Sequence, residues 1–366
     1  MEYLRAKVLV LIKKYPVDIK KNIFIKNKLW AIILVAQFLL FYVLSKFEFA
    51  IDFFAKLYEW KKDFHVALFS KLDFSVGDFI YILIIVISLI SIYKLIRFKK
   101  VKTLRNVFIF LNVSYFIYQC FWGMLYFQTP IIEKLEKKKI NNENLKQLTL
   151  RYLELSKETR EKTSEDENGV FRIKNLDEIK LEILKQQQFI SKDINSKKAI
   201  NVLAVKPSLF NSLMNYTGIL GYYNPFTAES QFNPNIPSTQ LPFTLAHEMS
   251  HQLGYAREQE ASFIAYICSK NSNNIDLQYS NQLYVLKSLL RNLSKSDLAF
   301  VKHVINQFSV KMKRDRNYEI SFLKNNEGVI SDFFGVTNDL FLKSNQQDGR
   351  ITYSYFINLL ISYELK

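Results

Sequence analysis

The residues best equipped for chemistry in this chain are His247, Glu248 and His251, an H-E-x-x-H pattern within FTLAHEMSHQLGYAREQEASF at 243–263. On a helix, residues four apart share a face, so both imidazoles can reach one metal ion. Glu248 then projects beside the water such an ion polarises, placed to take its proton as general base and pass it to a leaving amine. Zinc is the expected ion, because it acidifies water toward neutrality and polarises a scissile carbonyl. The chain contains 4 His and this motif uses two of them, so a chance match is rare. The apolar PFTLA ahead of it suits a buried helix.

A catalytic zinc site needs a third protein ligand and an open position. Arg257 stands where H-E-x-x-H-x-x-G-x-x-H would place a third histidine, and a guanidinium cannot ligate. On a straight helix Glu258 would lie about 10 Å along the axis from His251, beyond sharing a metal. Gly254 removes that obstacle, since a glycine can end a helix and let the chain double back. A second helix from about Ala256 then presents Glu258 or Glu260, and spacing leaves both open.

The elements that must position this motif begin with three apolar runs, at about 29–45, 79–96 and 107–127. Each is close to the roughly 20 residues that span a hydrocarbon core as a helix. The first is too long for a signal-peptide apolar region and lacks a small-residue cleavage site. Basic residues dominate 1–28 and the link from Lys94 to Arg105, whereas acidic residues offset the lysines of 46–78. Positive flanks stay in the cytoplasm. The expectation is a cytoplasmic basic segment 1–28, a membrane domain 29–127 with an amphipathic outer loop 46–78, and an extracytoplasmic domain 128–366. Trp122 and Tyr126 read as interfacial anchors of the third run, and Asn112 as an interhelical hydrogen bonder. The net charge of +16 clusters beside the apolar runs, so the lipid bilayer is the expected partner and no nucleic acid is. Two cysteines give no disulfide framework.

Beyond Pro130 the pattern is polar and helical, broken by a β-type run at 199–205 and by a Gly-, Pro- and Asn-rich stretch at 218–242. The fold class is therefore mainly α: three transmembrane helices, then a mostly helical domain with a small β-sheet. Tyr222, Tyr223 and Tyr353 are candidates for stabilising an oxyanion. His65 and His303 read as surface residues.

Glu258-Gln-Glu-Ala261-Ser262 resembles the E-x-x-A-[D/N] pattern of gluzincin peptidases, with Ser where Asp or Asn is usual. That resemblance favours Glu258 as third ligand over Glu260 and implies that Ser262 supports a histidine. In zincins an edge strand before the active-site helix binds substrate backbone, and the resemblance places Thr227, Glu229 and Asn233 on it. Over nearly its whole length the chain also resembles a bacterial family of multi-span membrane proteins of unknown function with a zincin-like domain. FSVGDFIY at 74–81, WGMLYFQTP at 122–130, GYYNPFTAESQFN at 221–233 and NDLFLKSNQQDG at 338–349 carry it, with the motif segment. It implies attachment to the bacterial inner membrane, with the catalytic domain in the periplasm. The function expected is a zinc metallopeptidase acting on peptide or protein substrates; the alternative is an inactive zincin-fold binding or scaffold protein.

Overall fold

The computed structural model describes residues 16–98, 101–136, 138, 141–345, 347–348 and 355–365, so Tyr353 and the first basic residues lie outside the described set. Helices α1 (Pro16–Leu44), α3 (Val76–Phe98) and α4 (Val101–Phe121) carry the apolar runs. The stretches Asn27–Leu44 and Val76–Arg97 are each long and apolar enough to cross a membrane. A third crossing exists if α4 and the turns after it, bent by 45°, count as one span. Asn112 of α4 donates to the Trp30 carbonyl (3.0 Å) and accepts from Gln37 (2.8 Å), pinning α4 to α1. In lipid such bonds replace those that water cannot offer.

The third apolar run is not one continuous helix to residue 127. It stops at Phe121, and Gly123–Phe127 is a 3-10 turn packed into protein. This break turns Trp122 and Tyr126 inward, so both are buried and neither is an interfacial anchor. The 46–78 loop holds a single helix, α2 (Glu48–Phe69). Tyr58, Lys61, Lys62 and Val66 on one face are buried, while Phe49, Phe53, Trp60 and Phe64 are exposed.

Residues expected to fall in separate domains share one hydrophobic core. Tyr58, Val66, Trp122 and Leu125 cluster with Leu253, Phe263 and Leu286. A boundary at 127/128 therefore cuts through packing. The loop and the C-terminal part lie on the same side of any bilayer that α3 and α4 cross.

The remainder is helical: α5 (Asn142–Arg160), α6 (Leu176–Gln186), α7 (Asn211–Thr217), α8 (Leu241–Leu253), α9 (Glu258–Lys270), α10 (Ile275–Leu293), α11 (Leu298–Asn306), α12 (Val310–Asn326), α13 (Val329–Ser344) and α14 (Phe356–Glu364). Asn141, Asn175, Asn274, Asp297 and Ser309 cap five of these by accepting first-turn N–H groups. Three short strands form a sheet in the order β1 (Val205–Pro207), β3 (Glu229–Phe232), β2 (Gly221–Asn224). β1 runs parallel to β3, and β2 antiparallel. Gln252 of α8 donates to the Ala228 carbonyl (2.6 Å) and Ser230 donates to the Glu248 carbonyl (2.9 Å), which fastens α8 to the sheet.

Far from the sheet, Arg160 is fully buried and forks onto Asp315, with distances of 2.6 and 3.1 Å. Asp315 also accepts from Tyr279 (2.7 Å) and from the Phe171 amide (2.8 Å). Removing one partner of a buried ion pair leaves the other uncompensated, at a cost of about 3–5 kcal/mol. Asp315→Ala is accordingly expected to lower stability by that order, read as the shift of a thermal or denaturant transition.

Candidate metal centre

Helix α8 starts with Pro242 in its first turn and ends at Gly254, whose φ of 108° only glycine adopts without strain. The Gly254 amide donates to the His251 carbonyl (2.8 Å), and the chain reverses through Tyr255–Arg257 into α9. Glu258 opens α9, with its carboxylate near the positive helix terminus. Gln347 accepts from the Glu258 amide (3.2 Å) and holds that turn in place.

The reversal brings Glu258 back over α8. Its carboxylate lies 3.2 Å from His247 Nε2 and 3.6 Å from His251 Nε2. One donor atom from each of the three residues falls within 4.8 Å of the others, a group able to hold a metal ion. Glu260 is not part of it. That side chain turns away, accepting from the Ile131 amide (2.8 Å) and from Arg257 (3.2 Å).

The outward nitrogens are fixed as well. His251 Nδ1 donates to the Tyr255 carbonyl (2.6 Å), so in the neutral ring the lone pair sits on Nε2, facing Glu258. His247 Nδ1 lies 3.1 Å from Ser262 Oγ, which in turn accepts from Tyr284 (3.1 Å). These contacts orient both rings toward the same point.

Electrostatics follow from burial and proximity. Burial raises the Glu258 carboxyl, but the two imidazoles overcome that and hold it well below the usual carboxylate range. Burial lowers His251, yet Glu258 beside it carries the ring up to about 9. For His247 burial prevails over Glu258 and lowers it. For Glu248 burial outweighs the pull of His251 and pushes the carboxyl up to about 8. Its Oε2 is buried without a hydrogen-bond partner in the protein. A carboxylate kept ionised between two imidazoles favours a cation where the three converge.

The residues expected on the substrate strand lie elsewhere. β3 is the central strand, with β1 and β2 on its two edges, so its backbone has no free edge to offer. Thr227 and Asn233 are fully buried, and Asn233 donates to Asn215 (2.7 Å). Glu229 accepts from the Gly77 amide of α3 (2.7 Å) and pairs with Lys206 (2.7 Å), so it serves the membrane helix. The motif helix packs on both β3 and β2, and β2 is the edge strand of the two. A Cβ on Gly221 would meet Glu248 Cγ at 2.7 Å, so glycine is what admits the Glu248 side chain.

Several neighbours carry no sequence motif. The Tyr58 hydroxyl of α2 lies 2.9 Å from the Gln252 carbonyl, 3.2 Å from the His251 carbonyl and 3.0 Å from the Tyr223 hydroxyl, with one proton to share among them. Trp122 places its ring 4.7 Å from Tyr223 and edge-on to His251 at 5.9 Å. Tyr222 points the other way and bonds Asp78 of α3. His303 is exposed, whereas His65 is half-buried among Phe64, Phe69 and Phe121. Tyr58→Phe loses the one hydroxyl that lies among these three oxygens, and is expected to cost about 1–3 kcal/mol. Gly221→Ala is expected to cost about 1–3 kcal/mol through overpacking against Glu248. Thermal denaturation of the purified protein measures both.

No curated protein and no solved structure matches the chain. A family model, described as "Protein of unknown function (DUF3810)", matches residues 53–361. That match begins inside α2 and takes in α3, α4, the sheet, the three converging side chains and nearly all of α14. The chain belongs to the DUF3810 family.

Proposed function

We propose that the protein is a membrane-anchored zinc metallopeptidase of gluzincin type, with His247, His251 and Glu258 as ligands and Glu248 as general base. The observation that carries this reading is the doubling-back at Gly254, which sets an ionised carboxylate against two oriented imidazoles. Four-coordinate zinc with N and O ligands at about 2.0–2.2 Å requires donors about 3.3–3.6 Å apart. The Glu258 oxygens come close to that spacing, Oε2 at 3.2 Å from His247 and Oε1 at 3.6 Å from His251, and the donor set of two imidazoles and a carboxylate suits zinc.

Zinc, when bound, supplies a Lewis acid that polarises a carbonyl and acidifies water. The chain's own residues do the rest. Ser262 and the Tyr255 carbonyl hold the rings in place, and Gln347 holds the turn that carries Glu258. Glu248 Oε2, free of protein partners, is the atom that accepts a proton from water and returns it to the leaving amine. Burial of Glu248 and His251 excludes competing water. The outer edge of β2, next to Glu248, is the place for an extended substrate backbone. The basic flanks support a cytoplasmic amino terminus and a periplasmic site in a bacterial inner membrane.

The test uses the full-length protein in detergent. Stoichiometric zinc is expected in the native chain and its loss in His251→Ala. Glu248→Gln is expected to keep the metal while peptide hydrolysis falls by about 10²–10⁴-fold. Zinc without hydrolysis in the native protein assigns a binding or scaffold role instead, and absence of zinc sinks the reading.

A further inference from the structure

Two helices outside the apolar runs also present apolar faces to the surroundings. Around α7, Leu209, Leu213, Tyr216 and Leu220 are exposed. Along α13, Val329, Phe333, Val336 and Leu340 are exposed, Val329 by 85% and Phe333 by 63%. The α13 set follows i, i+4, i+7, i+11, the spacing of a single helix face, whereas on the short α7 Leu213 and Tyr216 share a face and Leu209 and Leu220 flank the helix. The two helices pack against each other, so the stripes belong to one surface. A water-soluble protein rarely leaves so large a contiguous apolar area uncovered.

Hydrogen bonds join this pair to the membrane helices at the ends that carry the C-terminal part. The Leu209 amide, just before α7, donates to Asp78 in the first turn of α3 (2.7 Å). Asn345, just after α13, accepts from Tyr118 in the last turn of α4 (2.6 Å). Phe79 of α3 and Phe116 of α4, each next to one of those anchors, are themselves exposed. The stripes therefore adjoin the apolar surface of α3 and α4.

We infer that α7 and α13 form a second lipid-facing surface, lying in the headgroup and upper acyl region of the leaflet on which the C-terminal part sits. The occupant is the bilayer itself, because the surface is anchored at both ends to helices whose exterior is already apolar. A helix lying in the plane of the interface buries such a stripe and keeps its polar side in protein or water. This surface flanks the candidate metal centre: α7 leads through Leu220 into β2, and α13 leads to Gln347, which holds the first turn of α9.

The test places a single nitrobenzoxadiazole-labelled cysteine on the full-length protein in nanodiscs. The background is Cys120→Ser, since Cys268 is fully buried. Labels go at Leu213→Cys, at Phe333→Cys, and at Lys302→Cys on exposed α11 as the aqueous reference. With nitroxide-tailed lipids, emission is expected to be blue-shifted and strongly quenched at 213 and 333 but not at 302. Emission at 213 and 333 matching that at 302 overturns the inference. A blue shift without lipid quenching also overturns it, and assigns the surface to a second copy of the chain or another polypeptide. Two positions on separate helices guard against one variant misfolding locally.

Discussion

The arrangement depends on one backbone reversal. Gly254 adopts a left-handed conformation at the end of α8, and a side chain there would strain the turn as well as meet the ring of Tyr58. Without that turn α8 would run on, and Glu258 would lie about two turns beyond His251 and about three beyond His247. With it, three side chains from two helices reach the same few ångströms. The helices and loops around them chiefly keep the two arms of the reversal from moving apart. Gln347 and Ser262 fix the arm of α9, and the sheet fixes the arm of α8.

The second arm of support comes from the membrane side. Tyr58 sets its hydroxyl against the His251 and Gln252 carbonyls at the C-terminal end of α8, where a helix runs out of amides four residues on. Glu229 of the central strand accepts amides from the first turn of α3, a carboxylate at a positive helix end, with Lys206 balancing its charge. Gly77 permits that approach, since a Cβ there would collide with the Asn224 side chain. Lys61 is buried against the Pro225 carbonyl (2.6 Å), and burial lowers its ammonium to about 7. The apolar α3 is thus joined to the sheet, and α2 to the helix bearing the two histidines, by direct hydrogen bonds.

What the sequence made legible was local. The helical spacing of the two histidines, the stop at Gly254 and the apolar runs all depend on neighbours within a few turns, and Asn112 stands out as a polar residue inside such a run. Glu258 and Glu260 could not be separated by spacing, because both fall in the first turn of α9; a contact with Ile131 draws Glu260 away. The edge position of a strand is not local either. β1 precedes β2 in sequence yet pairs with β3 in parallel, and parallel pairing across an intervening helix leaves no hairpin signature. That is why Thr227, Glu229 and Asn233 read as a free edge and are not one. Trp122 and Tyr126 carry the aromatic signature of an interface, but the break at Gly123 sends them to the core. Tyr58 meets His251 across 193 positions, a contact that no pattern in the chain announces.

The shared core has a practical corollary for anyone trimming the chain. A fragment cut after the last apolar run would shed Tyr58, Val66, Trp122 and the first turn of α3 together. It would bare the aromatic floor beneath His251 and Tyr223 and leave the Glu229 carboxylate with Lys206 alone of its three donors. Such a piece is more prone to aggregate than to crystallise, so solubilising the protein whole is the route that keeps its folded unit intact.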